Sequence, residues 1–196
     1  DRTEMKIAIT GSIGSGKSFV CQILHNHGIT VYDCDAAAKR LMRTSAEIQH
    51  RLSSLVGKDV FVGGRFQKAL LADFLLKSQQ NAKAVDDIVH PAVASDFVKS
   101  GLDWIESAIL FDSWFINRIY LDKIICVSAP EEVRLQRVML RDRISREKAL
   151  DWINRQLPQE EVLRRSDYEI VNDGTTDLDN QVSRILNELD KSSKNK

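Results

Sequence analysis

The sequence predicts an α/β protein with a five-stranded parallel sheet in three layers, a helical insertion, and a second short helical segment near the carboxyl end. Three observations carry that expectation. A glycine-rich segment, Gly11-Ser12-Ile13-Gly14-Ser15-Gly16-Lys17-Ser18, directly follows the apolar run Ile7-Ala8-Ile9-Thr10. Further short runs rich in Ile, Val or aromatics alternate with stretches of helical periodicity. Alternation of this kind implies a parallel sheet wrapped on both faces. Two helical stretches, 36–101 and 142–166, exceed what a minimal strand–helix–strand repeat requires.

In chain order, strands are expected at Lys6–Thr10, Thr30–Tyr32, Trp104–Glu106, Ile124–Ser128 and Tyr168–Val171. The helix after the first strand carries Val20, Ile23 and Leu24 on one face and closes at Gly28. The insertion reads as helices near 36–43, 45–56, 67–77 and 79–99, with no core strand. Residues 142–166 read as two short helices broken at Pro158, and the Lys/Ser/Asn-rich end from Lys191 as a frayed tail. The expected division is therefore a nucleotide-binding core (1–35, 102–141 and 167–190), a substrate-binding region (36–101), a lid (142–166) and a disordered tail (191–196). Met5 stands just ahead of the first strand and is a candidate start, with 1–4 a remnant before it.

The loop at 11–18 has the P-loop pattern, G-x-x-x-x-G-K-S, in its required strand-to-helix setting. Glycines let the backbone wrap an anion so that successive amides point inward, and the following helix adds the positive end of its dipole. Lys17 can reach the β- and γ-phosphates, and the Ser18 hydroxyl suits Mg²⁺. A dinucleotide loop would need G-x-G-x-x-G/A, and from Gly14 its last position is Phe19. The whole is a three-layer P-loop NTPase/kinase fold that takes ATP.

Asp33-Cys34-Asp35 follows the second strand. If extended geometry continues, both carboxylates face one way at the carboxyl end of a parallel strand, where such sheets place their ligands. A kinase acting on a hydroxyl uses a carboxylate there to orient it and accept its proton. Asp35 also sits where a cap for the next helix would be; Asp33 has no such second role. Arg134, Arg137 and Arg141 share a helix face at spacings of three and four, with Glu131 and Glu132 opening that helix. They either form a solvated ion-paired face or, for Arg141 at the junction with 142–166, supply charge to a transferred phosphoryl group. His90-Pro91 lies within an apolar-periodic helix, which the proline perturbs, and His90 reads as structural on its own. Asn172-Asp173-Gly174 is a turn that could flank the adenine. Glu106, ending the third strand, suits Mg²⁺ through water or a plain strand-end role.

Composition narrows the field. Of 196 residues, 43% are hydrophobic, and 28 Lys+Arg balance 28 Asp+Glu, which disfavours a general nucleic-acid or membrane binder. No apolar run approaches the ~18 residues of a membrane span, and no signal peptide precedes the first strand. Cys21, Cys34 and Cys126 match no metal spacing and read as reduced thiols of a cytoplasmic protein.

Together these residues resemble the dephospho-CoA kinase family over nearly the whole chain. The matching segments are Thr10 to Ser18, Asp33-Cys34-Asp35 (usually Asp-Ala-Asp), Gly64-Arg65-Phe66, His90-Pro91, Ala108 to Asp112, Val127 to Pro130, Gln136-Arg137, Arg141-Asp142, Arg146-Glu147, Gln156 and Asn172-Asp173-Gly174. The resemblance implies ATP-dependent, Mg²⁺-assisted phosphorylation of the ribose 3′-hydroxyl of dephospho-CoA. It implies catalytic roles for Asp33 as base and for Lys17 and Arg141 on phosphate. Nucleotide contacts would come from Gly11, Ser12, Ile13, Gly14, Ser15, Gly16, Lys17, Ser18, Phe19, Arg137, Asn172 and Gly174. Acceptor contacts would come from Asp33, Asp35, His90, Arg141 and Gln156, and the metal ligand would be Ser18. Ser12 and Phe19 depart from the usual Gly and Thr, and the family's Pro-Leu-Leu-Phe-Glu becomes Ala108 to Asp112, with a shorter acid. The partner is a small molecule; oligomeric state stays open, with a monomer favoured.

Two other readings share the loop. A GTPase switch needs Asp-x-x-Gly, which is missing, and Asn-Lys-x-Asp, whereas Asn-Lys occurs only as the final two residues. A kinase for another small acceptor would leave the insertion and His90-Pro91 unexplained.

Overall fold

A computed structural model describes residues 4–112 and 115–194. They fall into two compact units, Asp1–Tyr32 with Leu102–Lys196, and Asp33–Gly101. The division falls at Asp33, three residues before the expected start of the insertion, and residues 142–166 belong to the first unit.

The first unit is built on β1 (Ile7–Thr10), α1 (Lys17–Asn26) and β2 (Val31–Asp33), then, after the insertion, β5 (Trp104–Glu106), β6 (Lys123–Ser128), α6 (Glu131–Asp142), α7 (Arg146–Arg155), α8 (Gln159–Arg164), β7 (Tyr168–Val171) and α9 (Leu178–Lys194). The strands form one five-stranded parallel sheet in the order β2-β5-β1-β6-β7. Ile7 pairs with Trp104 and Lys123, Thr10 with Cys126, and Ser128 with Val171. All four residues of β1 are buried, as a central parallel strand covered on both faces should be. Val20, Ile23 and Leu24 of α1 meet Ile7, Ile9, Ile125, Val127 and Ile170 of the sheet and Val182, Ile185 and Leu189 of α9 in one apolar cluster. A second cluster joins Leu135 and Val138 of α6 to Ala149 and Ile153 of α7, with Ile13 of the glycine loop packed against it.

The second unit holds α2 (Cys34–Thr44), α3 (Ala46–Val56), a short antiparallel pair β3 (Phe61–Val62) and β4 (Arg65–Phe66), α4 (Lys68–Lys77) and α5 (Gln79–Ser100). Ser45 and Ser78 cap α3 and α5 through the amides of Ile48 and Asn81. α5 packs against α2, α3 and α4 and buries Val85, Val89, Val93 and Phe97.

The helix expected over 79–99 is found as α5, which runs through Pro91 for 22 residues in all, because one lost donor is outweighed by the buried face on either side. Two expectations are corrected. The frayed tail expected from Lys191 is helical to Lys194, since Val182, Ile185 and Leu189 anchor that helix to the sheet; Asn195 and Lys196 lie outside the described residues. Extended geometry also ends at Asp33. Helix α2 begins at Cys34, so Asp33 rather than Asp35 is the cap, its Oδ1 accepting the Ala36 N–H at 3.0 Å. No helix of the described residues is long and apolar enough to cross a membrane.

Two measurements check this account. Leu24→Ala is expected to cost about 2–5 kcal/mol of unfolding free energy, read from urea midpoints; a loss under ~1 kcal/mol would mean the cluster is not close-packed. Cys126 is buried in β6, and burial, with the Glu169 charge adding, pushes its thiol up to about 12 from an ordinary 9.0. The folded chain therefore keeps this proton where the unfolded chain releases it, so the thiol's stabilising effect is full below about pH 9 and falls as pH rises toward 12. Cys126→Ala should lose less stability than the parent between ~pH 8 and ~10, and native Cys126 should resist alkylation at ~pH 8 until unfolded.

Candidate active site

The glycine loop joins β1 to α1. Gly14 (φ +80°) and Gly16 (φ +81°) adopt left-handed backbone that side chains rarely take. A Cβ on Gly14 would meet the Arg134 carbonyl at 2.5 Å, and one on Gly16 would run into the Asn172 carboxamide. Glycine is required at both positions by shape as well as by conformation.

Each described contact on the loop turns a backbone group toward the protein. Lys17 Nζ donates to the Gly11 carbonyl at 2.9 Å, and Ser15 N–H to that of Ser12 at 3.0 Å. Arg137 Nη1 donates to Gly14 at 3.2 Å and to Ser15 at 3.4 Å. Asn172 Nδ2 also donates to Ser15, at 3.0 Å, and the Asn172 carbonyl accepts from Arg137 Nη2 at 2.8 Å. One loop amide faces outward: Ile13 N–H donates to Gln156 Oε1 at 2.8 Å. Arg137, Asn172 and Gln156, expected to contact nucleotide or acceptor, thus hold the loop backbone in this structure.

The three arginines of α6 share a face but not an environment. Arg134 is buried, its Nε donating to the Ala129 carbonyl at 3.1 Å, so it is neither solvated nor ion-paired on a surface. Arg137 is half-buried against the loop. Arg141 is exposed and engages the neighbouring Asp142 carboxylate through Nε at 3.0 Å and Nη2 at 2.8 Å. Arg146 forms a two-pronged pair with Glu132 at 2.8 and 2.7 Å. That guanidinium, helped by Gln136, holds the Glu132 carboxyl down at about 2.

Burial lowers the Lys17 pKa, while Glu106 at the end of β5 opposes the shift. Glu106 also accepts from Cys21 Sγ at 3.6 Å. Ser18 and Phe19 are exposed in the first turn of α1, Phe19 at 69%. Ser12 is buried in the loop. Asp173 tightens the turn after β7 by accepting from the amides of Thr175 and Thr176 and from the Thr176 and Thr175 hydroxyls; these bonds hold its carboxyl far below the usual range. Gly174 in the same turn is exposed with φ +86°.

In the second unit, Asp33 is exposed and caps α2. Asp35 lies in the first turn of α2, paired with Lys39 one turn on at 3.0 Å, so the two carboxylates do not continue one extended edge. His90 is buried in α5, its Nε2 3.4 Å from the Asp86 carboxylate.

Two residues at the site were not read as contacts from the sequence. The Gln159 carboxamide brackets residue 129, accepting its N–H at 3.1 Å and donating to its carbonyl at 3.0 Å. Asp112, whose role the sequence left open, accepts the Leu157 N–H at 2.9 Å. Neither residue belongs to a motif whose chemistry demands it, so no sequence signal pointed to these partners.

Comparison with known proteins agrees with this geometry. A sequence model of the dephospho-CoA kinase family matches residues 5–178. A dephospho-CoA kinase from Bacteroides fragilis is 40% identical over 189 residues, covering 93% of this chain and 91% of that protein. A crystal structure from Thermus thermophilus superposes with a TM-score of 0.81 at 33% identity, covering 95% of this chain and 98% of that one. A shikimate kinase from Acinetobacter baumannii shares the fold alone, with a TM-score of 0.52 at 16% identity over 100% of this chain and 97% of its own. The match across the loop, the insertion and the helices after β6 shows that this chain belongs to the dephospho-CoA kinase family.

Proposed function

We propose that the chain transfers the γ-phosphoryl group of ATP to the ribose 3′-hydroxyl of dephospho-CoA, giving coenzyme A and ADP. The observation that carries this reading is the braced phosphate loop at the end of a central parallel strand, within a chain of this family. The 3′-oxygen forms a bond to the γ-phosphorus as the bond to the bridging oxygen breaks, and ADP leaves. Positioning and charge stabilisation supply most of the catalysis in such transfers.

Loop amides and Lys17 take the β- and γ-phosphates. Lys17 suits the role because burial disfavours its cation, which the charge of a polyphosphate would favour. Asp33 orients the 3′-hydroxyl and takes its proton late in transfer. Arg141, exposed at the end of α6, is available to exchange Asp142 for phosphate oxygens; a planar guanidinium matches that geometry better than an ammonium. Residues 142–166 act as the lid and the second unit as the acceptor-binding region, with Asp35 and His90 on its helices.

A divalent ion fits the donor set at Ser18, an exposed hydroxyl next to Lys17. Mg²⁺ is commonly held by one or two protein oxygens plus substrate phosphates, and when bound it neutralises charge between the β- and γ-phosphates. The proposed location is the cytoplasm, and the oligomeric state stays open with a monomer favoured.

The deciding experiment is ADP release with dephospho-CoA, AMP, adenosine or gluconate as acceptor, with product analysis. Dephospho-CoA is expected to yield a 3′-phosphorylated product at a rate at least ~100-fold above the others; no such product beside turnover of another acceptor would overturn the assignment. Asp33→Asn should retain ATP binding and lose on the order of 10²–10⁴-fold in turnover, the range of general-base contributions. Turnover equal to the parent would remove Asp33 from that role.

A further inference from the structure

Transfer chemistry as described leaves Asp112 without a part. Its carboxylate accepts the Leu157 N–H at 2.9 Å, and Leu157 lies in the short connector between α7 and α8. The connector has few donors of its own. Gln156 N–H is spent on Ile153 in its own helix, at 3.2 Å, and Pro158 has none. Leu157 N–H is the donor that remains, and Asp112 takes it with a charge-assisted bond. Beyond the connector, Gln159 is fixed by its two bonds to residue 129. Held on both sides, the connector presents the Gln156 carboxamide to the Ile13 N–H at 2.8 Å. The Ile13 side chain packs against the cluster that joins α6 to α7, so the tip of the loop is held through backbone and side chain together.

We propose that Asp112 is a positioning residue for the phosphate loop: it fixes the 156–158 connector, and through the Gln156 carboxamide it sets the conformation of the loop at Ile13. The inference rests on reading this loop as the ATP site. An outward Ile13 amide bound to a neutral acceptor leaves the neighbouring amides to turn inward. Asp112 acts at one remove, so its negative charge is kept off the loop itself. The shorter acid at this position has a defined task in this chain.

The test combines amide exchange with kinetics. In nucleotide-free protein, Asp112→Ala and Gln156→Ala should each speed hydrogen exchange at Ile13 about tenfold, leaving β6 amides unchanged. Each should raise the KM for ATP about tenfold, equivalent to about 1.4 kcal/mol, and Asp112→Ala should keep kcat within about threefold of the parent. The double variant should be no worse than the worse single one, because both act on one chain of contacts. Asp112→Asn keeps an acceptor oxygen and should restore both readouts to within about threefold. Parent-like exchange at Ile13 in Asp112→Ala, or effects on KM that multiply in the double variant, would overturn the proposal. If Asp112→Ala does not fold, Asp112→Leu, similar in size and without an acceptor, decides: faster exchange at Ile13 supports the strap, and unchanged exchange overturns it. Exchange is read without ATP or acceptor, so it is independent of the reaction. Failure of the parent to phosphorylate dephospho-CoA would overturn the assignment of function while leaving the exchange result intact.

Discussion

A loop that grips polyphosphate with inward amides must turn carbonyls outward, and a buried carbonyl needs a donor. Much of the first unit answers that need. Gly11, Ser12, Gly14 and Ser15 carbonyls take bonds from Lys17, the Ser15 amide, Arg137 and Asn172. Lys17 and Ser15 belong to the loop and α1 themselves, and the other two donors follow β6, which lies beside β1, and β7, which lies beside β6. β6 leads into α6 and Arg137, and β7 leads into the turn carrying Asn172. Strand order therefore sets the donors around the loop, and close approach by Arg134 and Asn172 makes Gly14 and Gly16 irreplaceable.

The electrostatics follow from the same packing. Lys17 sits where burial opposes its charge and Glu106 supports it. A cation held against burial gains most from a neighbouring anion, a common tension between stability and function. The arginines beyond the loop differ. Arg141 and Arg146 are paired with acids at exposed positions, where solvent screens an ion pair. Such pairs can be exchanged for a phosphate at little cost. Arg134 is buried on a backbone carbonyl and is committed to structure.

Asp33 answers a demand set by its place in the chain. A strand that runs directly into a helix needs a cap at the junction, and a short carboxylate supplies it. The cap bond uses Oδ1 toward Ala36, which fixes the orientation of the side chain at the carboxyl end of β2. Asp35, one helical position further, turns away along α2 toward Lys39.

The strands, the helices of the insertion and the phosphate loop were legible in the sequence because each rests on local pattern: apolar periodicity, capping residues, and glycines at fixed spacing before Lys17. The cap at Asp33 was misread because deciding between Asp33 and Asp35 depends on where extended backbone gives way to helix, which shifts within a residue or two. What the sequence determined alone was the ligand-binding backbone and the set of polar side chains available to it. Which of those side chains brace the loop was decided by tertiary structure. Arg137, Gln156 and Asn172 stand 123, 143 and 157 positions from their loop partners, and Asp112 reaches Leu157 across 45. Contacts at such separations depend on strand order and helix packing, and no local pattern encodes them.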